Sequence, residues 1–142
     1  MHDILMQQIK NEVTRLGVKE MSTPEEVDAL LANHKGTALV FVNSVCGCAG
    51  GVARPALGMA MKHPVKPDVI ATVFASSDRE ATMQARSYFT NMPPSSPSFA
   101  LLRDGKLVHM IHRSDIEIRD PYEVAALLVA AFEKYGTKVP QN

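Results

Sequence analysis

The stretch TALVFVNSVCGCAGG, residues 37–51, decides the fold. Its first seven residues are apolar without alternation, the pattern of a central strand covered on both faces. The strand runs into Cys46 and Cys48, the only cysteines in the chain, with Gly47 between them. From Ala49 to Lys62 the spacing predicts a helix that turns Val52, Ala56, Met59 and Ala60 inward and is kinked by Pro55. A thiol held between a strand end and a helix start faces unpaired backbone N–H groups and the positive end of the helix. Both favour thiolate, the nucleophilic form. Cys46 comes first and is therefore the candidate nucleophile. Cys48 sits half a turn into the helix, placed to resolve a mixed disulfide or to tune the first sulfur.

On the N-terminal side, Leu5, Ile9, Val13 and Leu16 recur at helical spacing and Gly17 follows. This predicts an amphipathic helix over residues 3–16. Residues 18–21 read as a short strand. Thr23, Pro24 and Glu26 form a capping-box start for a second helix, buried through Val27, Leu30 and Leu31. On the C-terminal side, VIATVF (69–74) is a second buried strand. Ser77 is the expected cap of a helix with Ala81, Ala85, Tyr88 and Phe89 inside. The segment NMPPSSPS is too proline-rich for regular structure. Asp104-Gly105 marks a hairpin between strands at 98–102 and 106–112. A capped helix then opens at Asp120, Pro121 and Glu123. It carries Val124, Leu127, Leu128, Ala131, Phe132 and Tyr135 and stops at Gly136, leaving 137–142 as a loose tail. Alternating helices and buried strands, closed by a hairpin and a helix, define one α/β/α domain over residues 1–142.

Composition narrows the function. Fifteen basic and fifteen acidic residues cancel, and Trp is absent. Neither nucleic acid nor an anionic membrane is an expected partner. No apolar run approaches the roughly 18 residues of a membrane span, and MHDILMQQIKNEV lacks the pattern of a signal peptide, so the expected location is the cytoplasm. Close cysteine pairs there are redox-active or metal-binding more often than structural. A pair of small buried apolar residues is the plain alternative, but the surrounding glycines argue against it. No metal is expected. His109 and His112 are three apart on a strand and point to opposite faces, and CxC lacks two further ligands. Asn43 and Ser44 are expected to hydrogen-bond within the cysteine loop, with Gly47 supplying backbone freedom and Ala49 following the motif. Gly50 and Gly51 either admit a bulky thiol or relieve packing.

CGCAGGVARP, together with PPSSPSFALLRDGKLV, resembles the bacilliredoxin family, CGC-motif proteins of the thioredoxin fold. The likeness spans nearly the whole chain. Unlike thioredoxin itself, this chain has CxC instead of CxxC and no Trp before it. The resemblance implies a thioredoxin-like three-layer α/β/α sandwich with a central mixed β-sheet. It also implies a thiol-disulfide oxidoreductase that removes bacillithiol from bacillithiolated cytosolic proteins, with Cys46 attacking. Bacillithiol is then a low-molecular-weight co-substrate, no cofactor is bound, and an upstream thiol reductant closes the cycle. By the same resemblance Pro97 is expected in cis, exposing the backbone of Ser96 to substrate, and Arg54 is a candidate for meeting the malate carboxylates of bacillithiol. An i, i+2 disulfide closes a tight, easily reduced ring, which suits exchange catalysis. Two alternatives stand beside this reading. One is a protein disulfide isomerase or oxidase of the same fold. The other is a non-catalytic CxC module that binds soft metal or senses thiols. The oligomeric state stays open, a homodimer through the first helix being one option.

Overall fold

All seven residues of the strand Thr37–Asn43 are buried, so it must be paired on both edges and covered on both faces. The computed structural model describes residues 2–135, with side chains from Ile4 onward. The expected stop at Gly136 and the tail 137–142 lie outside the described residues. The elements run α1 (His2–Thr14), β1 (Lys19–Glu20), α2 (Pro24–Leu31), β2 (Thr37–Asn43), a π-helical turn (Ala49–Ala53), α3 (Arg54–Ala60), β3 (Val69–Phe74), α4 (Arg79–Arg86), β4 (Ser98–Arg103), β5 (Lys106–Ile111), α5 (Arg113–Ile116) and α6 (Pro121–Tyr135). The five-stranded sheet has the order β1-β3-β2-β4-β5. β3 is parallel to β1 and β2, while β4 is antiparallel to β2 and β5. This is the expected mixed sheet between helical layers.

The two faces of β2 and β4 divide the core. Leu39, Phe41, Phe99 and Leu101 join α3 and α6 on one side. Ala38, Val40, Val42, Ala100 and Leu102 join α2 and α4 on the other. Phe41 and Phe99 stack with centroids 4.7 Å apart at the centre of the first cluster. The capping box at Thr23 and Glu26 is present, and so is the reciprocal pair between Asp120 and Glu123. Asp104 and Gly105 both have positive φ, as the tight hairpin requires.

Four local expectations are corrected. First, α1 buries Ile9 and Val13, but Leu5 is 52% exposed and Leu16 38%. Leu16 lies past the helix end, over Gly58. Second, the cap of α4 is Asp78, not Ser77, and its side chain makes no capping bond. That carboxylate instead meets Lys10 of α1 at 2.8 Å. Third, the predicted helix is not uniform. Helical backbone runs unbroken from Gly47 to Ala60, and just ahead of Pro55 it widens into the π turn, with the Arg54 N–H bonded to the Ala49 carbonyl. The helix also ends at Ala60, short of Lys62. Fourth, α5 was not anticipated. It follows β5 with His112 as its cap, and the His112 N–H donates to the Asp115 carboxylate at 3.0 Å.

Truncating Phe99 to Ala removes half of the central aromatic stack and should cost about 3–5 kcal/mol in urea denaturation. Leu5→Ala, by contrast, should change stability by less than about 0.5 kcal/mol, since its side chain stands mostly in water.

Candidate active site

β2 delivers the cysteine loop at its carboxyl end, beside the end of the parallel β3, where open α/β sheets place their sites. Its last residues are tied down. The Ser44 N–H donates to the Asn43 side-chain oxygen at 2.9 Å, and the Val45 N–H donates to the Ser76 hydroxyl at 3.1 Å. Gly47 and Cys48 start a helical turn, and the N–H groups of Ala49 and Gly50 both donate to the Cys46 carbonyl. Both cysteines are free and partly buried. Cys48 also packs against the first core cluster.

Cys46 is set to ionise more readily than an ordinary thiol. Burial pushes its pKa up. Against this act the Ser44 hydroxyl, 3.3 Å from Sγ, the N–H groups of Ala49 and Cys48, and the positive charge of Arg113. The balance leaves the thiol below its ordinary value. Ser44 also accepts the Cys46 N–H at 3.4 Å, so one hydroxyl holds both the backbone and the sulfur.

The Ser96–Pro97 peptide is cis. β2 and β4 pair up to Val42 and Ser98, so Pro97 and Ser96 immediately precede the end of β4 that meets the last residues of β2. The neighbouring Ser95 carbonyl accepts from Arg86 at 3.1 Å and from the Ser98 hydroxyl at 2.9 Å, which orders the proline-rich segment.

Arg54 stands elsewhere than expected. Its side chain is only 10% exposed. It donates to Glu12 at 2.7 Å, and to the Asn43 side-chain oxygen and the Ser44 carbonyl at 3.0 Å each. It therefore clamps the cysteine loop to α1 and is not presented to an incoming carboxylate. Gly50 makes room for it, because a Cβ there would lie 2.7 Å from the guanidinium. Nothing crowds Gly51 or Gly47. The cation whose charge acts on the thiols is Arg113, a residue with no local signal in the sequence. His109 is exposed and stacks on Tyr135, away from His112 at the α5 cap. Among the described residues no three His, Cys, Asp or Glu side chains are grouped as metal ligands, and no helix is long and apolar enough to cross a membrane.

Comparison with known proteins agrees with the fold. A family model described as a disulphide isomerase matches residues 1–136. A bacilliredoxin of Geobacillus kaustophilus is 50% identical over 139 residues, covering 98% of this chain and 95% of the relative. A bacilliredoxin of Staphylococcus haemolyticus is 50% identical over 131 residues, covering 92% and 90%. Among solved structures, the thioredoxin of Malassezia sympodialis superposes with a TM-score of 0.59 at 13% identity, covering 83% of this chain and 90% of that one. Mitochondrial thioredoxin 3 of Saccharomyces cerevisiae gives 0.57 at 16%, covering 87% and 98%. The fold is that of the thioredoxins, and with these relatives the protein is a thiol-disulfide oxidoreductase. Its family is the bacilliredoxins, to which the chain belongs.

Two predictions follow from the thiolate and its clamp. Because the native Cys46 pKa is depressed, the unfolded chain holds the proton longer as pH rises. Wild type should therefore gain stability over Cys46→Ser between the native and ordinary thiol values. That gain should be complete above the ordinary value and lost as pH falls through the native one. Denaturant melts across that range read it, and Ser44→Ala should shrink the gain and slow Cys46 alkylation at neutral pH. Arg54→Ala should cost about 1.5–3 kcal/mol, the scale of hydrogen bonds involving charged groups, in the same melts.

Proposed function

We propose that the protein removes bacillithiol from bacillithiolated cytosolic proteins by thiol-disulfide exchange at Cys46. The observation that carries this is the partly exposed Cys46 sulfur with the Ser44 hydroxyl 3.3 Å away, in a chain 50% identical to bacilliredoxins. The Cys46 thiolate attacks the bacillithiol sulfur of the protein mixed disulfide. A Cys46–bacillithiol disulfide forms as the old S–S bond breaks, and the target leaves as a thiolate that takes a proton from water. The Ser96 backbone is the candidate edge for the target chain, its carbonyl accepting from Arg113 at 3.3 Å.

Release has two routes. The Cys48 thiolate attacks the Cys46 sulfur, expels bacillithiol as a thiolate and leaves a Cys46–Cys48 disulfide, which an upstream thiol reductant returns to two thiols with two electrons. Otherwise a second bacillithiol attacks and departs as bacillithiol disulfide. Neither route requires a bound metal or prosthetic group, and bacillithiol acts as co-substrate. The reaction belongs in the cytoplasm, where thiols are kept reduced.

The description of the matched family model favours a second reading, in which the same thiolate attacks a protein disulfide and isomerises it. Intact mass after mixing with a bacillithiolated model protein separates the two. Cys48→Ala should gain one bacillithiol, Cys46→Ala none, and wild type only a transient adduct. No adduct on any variant, with reactivation of a scrambled disulfide protein, would favour the isomerase.

A further inference from the structure

Beside the site stands a residue that follows the far strand of the hairpin. β4 and β5 pair Phe99 with Ile111, the last residue of β5, and Arg113 opens α5 two residues on. Its contacts set it beside the segment that precedes Pro97. The Arg113 guanidinium donates to the Ser96 carbonyl at 3.3 Å, and its backbone N–H donates to the Ser95 hydroxyl at 3.3 Å.

Arg113 differs from the other cations around the site. Arg54 is held by Glu12, Asn43 and Ser44, and Arg86 is turned to the Ser95 carbonyl. The Arg113 side chain is 45% exposed and lines a cleft of ≈ 480 Å³ with Pro93, Ser95, His112, Ser114 and Glu117. Its partner is Glu117 at 3.3 Å, one turn along in an exposed i, i+4 pair. Such pairs are weak, so the guanidinium can exchange Glu117 for another carboxylate at little cost. Its planar fork matches a carboxylate in two-point geometry, and Ser95 and Ser114 line the same cleft.

We infer that Arg113 and this cleft hold the carboxylate-bearing part of the small thiol while its sulfur is exchanged at Cys46, so that the protein prefers anionic small thiols over neutral ones. This rests on the exchange proposed above and assigns the recognition role to Arg113 in place of Arg54. Glu117 tempers the preference by competing for the same guanidinium.

The test uses one carrier protein with a single cysteine, capped either with mercaptosuccinate, which has two carboxylates, or with neutral mercaptoethanol. Rates of Cys46 capping are read by intact mass in the Cys48→Ala background. Arg113→Gln should lower the mercaptosuccinate rate by about two- to fivefold more than the mercaptoethanol rate, the range of an exposed charge pair. Glu117→Gln should move the ratio the other way, and high salt should bring the parent ratio to that of Arg113→Gln. If Arg113→Gln slows both caps equally, Arg113 acts only on the Cys46 thiolate or on carboxylates of the carrier, and the inference falls while the exchange stands. If neither cap is transferred to Cys46 in the parent protein, the exchange itself is overturned and this inference with it.

Discussion

The burial of β2 on every side is the constraint on which the molecule depends. Seven consecutive buried residues leave no edge or face for solvent, so β3 and β4 take the two edges and the two helical layers take the faces. A strand fixed that fully ends in a well-defined place. Asn43 and Ser44 inherit that definition, and the cysteine loop hangs from them. Sulfur chemistry needs a partly open thiol, and the rigid strand lets the loop be open without drifting.

Two arginines divide the work around that loop. Arg54 faces inward and joins α1 to the loop through Glu12, Asn43 and the Ser44 carbonyl. The π turn and the bare backbone of Gly50 give its side chain room to lie there. Arg113 faces outward, beside the Ser96 carbonyl, and its charge helps hold Cys46 below the ordinary thiol range. The same thiolate thus has one cation that keeps its frame still and another that meets solvent. Distance along the chain conceals this division. Arg54 is close to the cysteines in sequence yet committed to the scaffold, while Arg113 is far in sequence yet within their field.

Much of the fold was legible from residues alone. The unbroken apolar run of β2, the capping boxes at Thr23 and Asp120 and the Asp104-Gly105 turn are local signals, and each is realised. The cysteine pair between a strand and a helical turn was equally readable, because a strand end, a glycine and a helix start are contiguous in sequence. Less legible was what depends on neighbours. Leu5 satisfies helical periodicity but finds no surface to pack on, because α1 touches the body through Ile9 and Val13. Asp78 displaces Ser77 as the cap residue, with its carboxylate turned to Lys10 on another helix.

The sequence by itself determined the thioredoxin-like order of elements and the position of Cys46 at the head of a helical turn, since hydrophobic period, turn residues and caps act over a few residues. Tertiary structure alone decided which cation serves the thiol. Counted back from the hairpin turn, where Arg103 pairs with Lys106, the residue opposite Phe99 would be Met110. A bulge between Leu101 and Leu102 shifts the pairing by one, so that Leu101 meets His109 and Phe99 meets Ile111, and Arg113 then opens α5 against Ser95 and Ser96. One extra residue in a strand changes every side chain beyond it. No local pattern announces that residue, because it is set by how two strands twist together over a packed core.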